Sequence, residues 1–290
     1  MSENAGSGRR VSHSLMGLEA VAKSVTVPQT AFPGSARAPD SAREVGHVID
    51  DLDLTEFTSV AAAYGHARYG YVVTPNVDHI IRCHEDAGFR ALYRSAEFVL
   101  MDSRFFARVL RMLTGVRLRV CTGADLSEAL LSKIAAADDP IVIVGGEDAD
   151  IAKLALRYRL THVHHYNPPM GFIDDPLAVE QCLQFIESES PFRFCFLALG
   201  SPQQEVLAHH LKSRGVARGL ALCVGASLNF LTGVERRAPR WMQQLSLEWL
   251  HRLLENPQRM AGRYLIRGPR IFRYLRRARF TQRKATLTRA

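Results

Sequence analysis

Hydrophobic and polar positions follow two periods along the chain, and the two alternate. Short apolar runs end at small or polar turns, and each is followed by a stretch with helical spacing. Tyr71-Val72-Val73 stops at Thr74-Pro75-Asn76, where proline cannot donate to a ladder and so ends the strand. Phe98-Val99-Leu100-Met101 stops at Asp102-Ser103. Between these runs Ile80, Ile81 and His84, then Phe89, Leu92 and Tyr93, recur at helical intervals. Strand, helix and strand at this length predict a right-handed crossover between parallel strands. Thr74, Asn76 and Asp102 then reach the same carboxyl edge, where open α/β sheets bind ligands. A structural reading stands beside this one: Asp102 and Ser103 cap the helix from Phe105 onward, and Asn76 makes a turn.

The same rhythm continues in both directions. Residues 45–54 read as a first strand and 55–68 as a helix behind it. A helix is expected over 104–113. Cys121-Thr122-Gly123-Ala124-Asp125 then turns into a helix over 126–137, a small-residue turn that either holds a phosphate on its N–H groups or simply caps the helix. Strands are expected at 141–144, 163–166, 194–199 and 220–224, the last of the series, with helices over 148–157 and 176–187. Gly200-Ser201-Pro202-Gln203-Gln204-Glu205 opens another helix, with Ser201 as N-cap, Pro202 at the first helical position and Gln204 closing a capping box. This alternation predicts an α/β fold: a Rossmann-like, doubly wound, mostly parallel sheet with helices on both faces.

The pattern fades at Gly233. Residues 239–254 read as an amphipathic helix carrying Trp241, Leu245, Trp249 and Leu253, and Pro257 and Pro269 punctuate two further helical pieces. Three segments follow: a disordered, Ser-, Ala-, Gly- and Pro-rich leader over 1–42, a core over 43–235, and a basic helical appendage over 236–290.

Charge sharpens that division. The net charge is +8, yet residues 236–290 hold fifteen Arg or Lys against two acids, so the rest of the chain carries −5. A mildly acidic body with a strongly basic end implies an anionic surface, nucleic acid or lipid, as partner. No apolar run approaches the roughly 20 residues that span a bilayer, and the N-terminal stretch lacks the apolar centre of a signal peptide, which places the protein on the cytoplasmic side. Five cysteines, widely and irregularly spaced, argue against a disulfide framework or a zinc site; Cys195 and Cys223 are expected as small core hydrophobes. Asp51-Leu52-Asp53 matches the D-x-D pattern of metal-dependent sugar transferases, but strand-end and helix-cap roles suit these acids better. His162, His164 and His165 split between two faces of a strand, so no metal site is expected there.

Taken in order, Thr74-Pro75-Asn76, Leu100-Met101-Asp102, Thr122-Gly123-Ala124-Asp125-Leu126, Gly200 to Glu205, and the string from Arg237-Ala238-Pro239 to Glu248-Trp249-Leu250-His251-Arg252-Leu253 resemble the WecG/TagA/CpsF glycosyltransferases (family 26). The resemblance spans roughly residues 45–265. It implies inverting, metal-independent transfer from a UDP-sugar to a saccharide on a polyprenyl diphosphate, in cell-surface or exopolysaccharide synthesis, with no cofactor. N-acetylmannosamine, its uronate and glucose lie within the range of donors.

By this resemblance Asp102 is the base. Thr74, Asn76, Thr122, Gly123, Asp125, Gly200, Ser201 and Gln204 belong to the donor and acceptor cleft, and Arg252, Arg259 and Arg263 face the UDP diphosphate. Two departures stand out: Gly262-Arg263 where paired arginines are expected, and Ser103-Arg104 after Asp102 where many relatives have a Gly-rich turn. The basic appendage is expected to hold the enzyme peripherally on the inner face of the membrane, and the resemblance allows a homo-oligomer. The alternative class is a nucleic-acid-binding protein whose tail follows a phosphate backbone; it leaves the ordered strand-end motifs without a purpose. An NAD-dependent oxidoreductase would need the G-x-G-x-x-G turn that is missing.

Overall fold

Val45–Asp50 (β1) stops short of residue 54, and Asp53, its backbone extended, caps Leu54–Tyr64 (α1). The Asp53 carboxylate accepts the Glu56 N–H at 2.9 Å, and Glu56 accepts the Asp53 N–H at 3.1 Å, a reciprocal capping box. The structure, a computed structural model, describes residues 45–283 apart from 67 and 277; the leader expected over 1–42 lies outside the described residues.

Tyr69–Val73 (β2) ends at Thr74-Pro75 as its pattern requires. The helical stretch that follows is two helices, Val77–Glu85 (α2) and Ala87–Ser95 (α3). Asp86 separates them: its backbone is extended and its carboxylate accepts the Phe89 N–H, so the residue restarts the helix instead of continuing it. Next come Phe98–Val99 (β3), Arg104–Thr114 (α4) and Gly123–Ala129 (α5), the last lengthened by a π turn over Leu130–Ile134. Ile141–Val144 (β4), Asp148–Tyr158 (α6), Val163–Tyr166 (β5), Pro176–Ser188 (α7), Phe194–Leu197 (β6), Gln203–Arg214 (α8), Gly219–Cys223 (β7) and Ser227–Thr232 (α9) complete the alternation.

Strands β2 to β7 form one parallel sheet in the order β3-β2-β7-β6-β4-β5. Alternate residues serve opposite faces. Tyr71, Val73, Val142, Cys195 and Ala221 pack in one layer with α2, α3, α7 and α8. Val72, Ile141, Ile143, Phe196 and Leu222 pack in the other with α1, α5 and α6. The five cysteines are free and buried, which bears out Cys195 and Cys223 as core residues.

Two expectations for the C-terminal part are corrected. The helix expected over 239–254 is interrupted: Ser246 takes φ +63°, and the segment divides into Arg240–Gln244 (α10) and Glu248–Glu255 (α11). The chain then runs through Pro257–Ala261 (α12), a π turn Gly262–Arg267, a 3-10 turn Gly268–Arg270 and Ile271–Leu275 (α13). Secondly, residues 220–224 are not the last strand. Ala278–Arg283 (β8), expected within a helical piece, lies parallel to β1 and pairs with it from Val45↔Ala278 to Asp50↔Arg283.

Side chains explain this choice. Phe280 stacks on His47 at 5.1 Å between ring centres and lies 5.7 Å from the ring of Phe106. Arg283 grips the buried Asp50 carboxylate with Nε and Nη2 at 2.5 and 2.6 Å, and Asp50 also accepts the Val99 N–H at 2.7 Å. That carboxylate therefore ties β8 to β3 as well as to β1.

Candidate active site

The carboxyl ends of β2 and β3 and the start of α5 meet beneath the C-terminal helices. Between them lies a cleft of about 1330 Å³, counted out to its open mouth. Asp102 lies on its wall. The side chain does not cap α4; Ser103 does, accepting the Phe106 N–H at 3.1 Å. The Asp102 carboxylate instead accepts the Gly123 N–H at 2.8 Å. Burial pushes its pKa above the ordinary carboxylate value, while the Gly123 N–H and the charges of Arg252, Arg263 and Arg104 pull it partly back. Gly123 has little room for a side chain: a Cβ would come within 2.7 Å of Ser227 Oγ and 3.4 Å of Thr74 Oγ1.

Asn76 fills both of the roles read from the sequence. It caps α2 by accepting the Asp78 N–H at 3.0 Å, and the same oxygen accepts from Arg263 Nη2 at 3.2 Å on the cleft wall. Thr74 is buried behind that wall, donating to the Cys223 carbonyl at 3.2 Å, and joins the ends of β2 and β7.

An ion-pair lattice ties the C-terminal segment over the cleft. Asp125 accepts from Thr122 Oγ1 at 2.7 Å, Arg104 Nη2 at 2.7 Å and Arg237 Nη2 at 2.5 Å. Burial opposes its ionisation, but the hydrogen bonds from Thr122 and Arg237 and the charges of Arg237 and Arg104 outweigh it and hold the pKa below the usual value. The other arm of Arg104 reaches Glu248 of α11 at 2.8 Å. Arg108 donates to the carbonyls of Gln244 and Leu245 at 2.5 and 3.2 Å, so α10 is fixed against α4. Further along, Arg267 pairs with Asp78 at 3.1 Å, and Arg270 and Tyr274 both reach Glu85. Arg237, Arg267 and Arg270 of the appendage are therefore engaged within the molecule.

The cleft holds Asp102, Asn76, Thr122, Arg252 and Arg263 together. Arg252 rests over the Phe230 ring at 5.0 Å, with no carboxylate within ion-pair distance among the described residues. Arg259 is exposed on α12 and does not line the cleft. A side chain at Gly262 would meet nothing within 4 Å, so the missing arginine has no steric cause.

Gly200, Ser201 and Gln204 lie at the same sheet edge but off the cleft wall. Ser201 is not the N-cap expected: α8 begins at Gln203, and Ser201 Oγ accepts from Arg82 at 3.4 Å. Gln204 closes no capping box. Its oxygen accepts the Gly225 N–H at 2.8 Å and its amide donates to the buried Glu205 at 3.1 Å, joining the ends of β6 and β7.

Sequence reasoning missed Arg104, Arg237 and Glu248 as latch residues, and also the aromatic wall. Trp249 stands 6.0 Å from Phe105 and 6.1 Å from Tyr264, ring centre to ring centre, and its buried indole N–H has no partner among the described residues. The D-x-D acids serve structure, as expected: Asp53 caps α1, and Arg119 bridges Asp51, Asp53 and Glu56. His162 meets the Asp138 carbonyl, His164 meets Glu189 and His165 meets Asp148, and no three-ligand metal cluster occurs among the described residues.

A carboxylate with raised pKa thus shares a cleft with Arg252 and Arg263 at the carboxyl edge of a parallel sheet, the edge at which such sheets bind ligands. The family model described as "Glycosyl transferase WecG/TagA/CpsF family" matches residues 43–285, and the chain belongs to that family. It is therefore a glycosyltransferase of cell-surface polysaccharide synthesis, a family whose members use a nucleotide-sugar donor and a lipid-linked acceptor. Among the described residues no helix is long and apolar enough to cross a membrane.

Proposed function

We propose that the protein is an inverting glycosyltransferase that needs no metal and moves a sugar from a UDP-sugar to a polyprenyl-diphosphate-linked saccharide. The observation that carries this reading is Asp102 in one cleft with Arg252 and Arg263. Asp102 takes the proton of the acceptor hydroxyl as that oxygen attacks the anomeric carbon from the face opposite the leaving group. The bond from that carbon to the diphosphate oxygen breaks, and UDP departs with the electron pair. Arg252 and Arg263 meet the charge growing on the diphosphate, the place where fixed cations contribute most to rate. The raised pKa of Asp102 suits a base, because proton transfer is most effective when the catalytic pKa approaches the working pH. Trp249 and Tyr264 line the cleft and offer aromatic surface to a sugar or base.

Purified protein supplied with a lipid extract and a panel of UDP-sugars will release UDP with one donor above all others. N-acetylmannosamine, its uronate and glucose are the candidates. Release that is equal with and without the lipid acceptor, or absent with every donor, counts against this reading.

Peripheral attachment at the inner face of the membrane belongs to the same proposal. Leu254, Leu265, Ile266 and Phe272 are exposed on the appendage beside Arg259 and Arg273, an arrangement suited to an anionic bilayer surface. Replacing Ile266 by Glu is expected to abolish sedimentation with phosphatidylglycerol vesicles. Unchanged sedimentation would assign attachment to another surface.

A further inference from the structure

We propose that a second, arginine-lined groove beside the cleft seats the diphosphate of the lipid-linked acceptor. The inference rests on the acceptor class named above. The groove runs between α4, the segment after it and the elbow joining α10 to α11. It is a shallow groove, open to solvent. Arg104, Arg108, Arg111 and Arg117 line it, and among the described residues no carboxylate does.

Two of these four cations are engaged. Arg104 holds Asp125 and Glu248, and Arg108 holds the carbonyls of Gln244 and Leu245. The guanidinium groups of Arg111 and Arg117 have no carboxylate within ion-pair distance among the described residues, and both residues are exposed. Their backbones are anchored: Arg111 lies within α4, and Gln282 of β8 donates to the backbone carbonyl of Arg117. A concave surface with two uncompensated guanidinium forks and no opposing acid attracts a doubly charged phosphate group, which Arg binds in bidentate fashion.

Three features favour the acceptor's diphosphate over any other anion. The groove shares Arg104 and Ser246 with the Asp102 cleft, so a sugar carried on a diphosphate in the groove points toward Asp102. The cleft keeps Arg252 and Arg263 for the donor, so the two diphosphates need not compete for the same cations. Finally, the residues next along α4, Met112 and Leu113, are 82% and 58% exposed, and Trp241 and Leu245 of the α10 segment are 58% and 55% exposed. Apolar side chains flanking a cationic groove suit a polyprenyl chain leaving its diphosphate.

The test uses the full chain with Arg111→Ala and Arg117→Ala combined, and the doubly conservative Arg111→Lys/Arg117→Lys as control. Two soluble acceptors carrying the same saccharide are compared, one on a short alkyl diphosphate and one as a simple alkyl glycoside. The native enzyme is expected to prefer the diphosphate acceptor in kcat/KM. That preference falls at least tenfold in the alanine variant and recovers partly in the lysine variant, while the Kd for UDP holds. An unchanged preference, or a Kd for UDP that rises in step, overturns the proposal.

A second measurement does not depend on turnover. With the cleft saturated by UDP, native protein is titrated with inorganic diphosphate, and the binding is expected to weaken at least tenfold in the alanine variant. Should no acceptor be glycosylated at all, equal diphosphate binding by native and variant protein still overturns the groove, whereas its loss upholds the site and sends the failure back to the assigned reaction. If the variant loses phosphatidylglycerol vesicles but keeps inorganic diphosphate and the acceptor preference, the groove is a headgroup site and the proposal falls.

Discussion

Asp102→Asn will lower kcat by about 10²–10⁴-fold, the range of a lost general base, and leave the Kd for UDP close to native. The amide keeps the shape of the side chain and its bond from the Gly123 N–H, so the fold and the cleft survive while the proton acceptor is gone. Asparagine also removes a negative charge opposite Arg252 and Arg263, so any change in UDP affinity is expected toward tighter binding. In the native enzyme the acid limb of kcat/KM against pH is expected to belong to this carboxylate. A base must be unprotonated, so activity is lost as pH falls through its pKa; because burial raises that pKa, the midpoint lies above the usual carboxylate value. UDP release measured across pH for both proteins is the check. Native turnover in the asparagine variant would mean that Asp102 takes no proton.

Arg283→Ala is expected to cost about 3 kcal/mol of stability, at the lower end of what breaking a buried ion pair costs. The reason lies with its partner. Asp50 is 3% exposed, and with the guanidinium gone its carboxylate keeps only the Val99 N–H as donor. Arg283 itself is partly exposed, so water relieves some of the penalty. The substitution also frees the Glu97 carbonyl that Arg283 holds at 2.8 Å, so β8 loses its side-chain tie to the β3 side of the molecule. Denaturant unfolding reads the loss of stability, and limited proteolysis near residue 277 reads the loosening of β8. The double variant Asp50→Asn/Arg283→Ala is expected to recover part of the loss, because the unpaired charge is then absent. If the double variant is no more stable than the single one, burial of the charge is not the source.

The central strands β2, β4, β6 and β7 were legible because each is short, buried on both faces and followed by a small or polar turn. Asp102 was legible for the same reason: it is the first polar residue after Phe98 to Met101, and in a parallel sheet that position opens onto the ligand edge. The cations of the appendage were legible only in part. Arg252 and Arg263 line the cleft, while Arg259, three residues into α12, is turned away from it. Nothing local marks the latch. Arg104 meets Glu248 across 144 residues and Arg237 meets Asp125 across 112, separations with no period along the chain. Gln204 shows the opposite problem, since its spacing from Ser201 satisfies the capping-box rule while its side chain is engaged with Gly225 and Glu205. β8 was read as helix because arginines alternate with aromatics there irregularly, and what selects a strand is the open edge of β1, more than two hundred residues earlier in the chain.

That pairing of first and last strands has a consequence for biosynthesis. While the ribosome is still translating the body, β1 has emerged but its partner has not, and its edge amides stay unsatisfied until residue 283 has left the exit tunnel. The pairing of β8 with β1 therefore forms late, across a long sequence separation, the kind of contact that forms slowly. Polypeptides arrested before β8 are expected to contain the parallel sheet, to lack sugar-transferring capacity and to expose a β1 edge that invites aggregation.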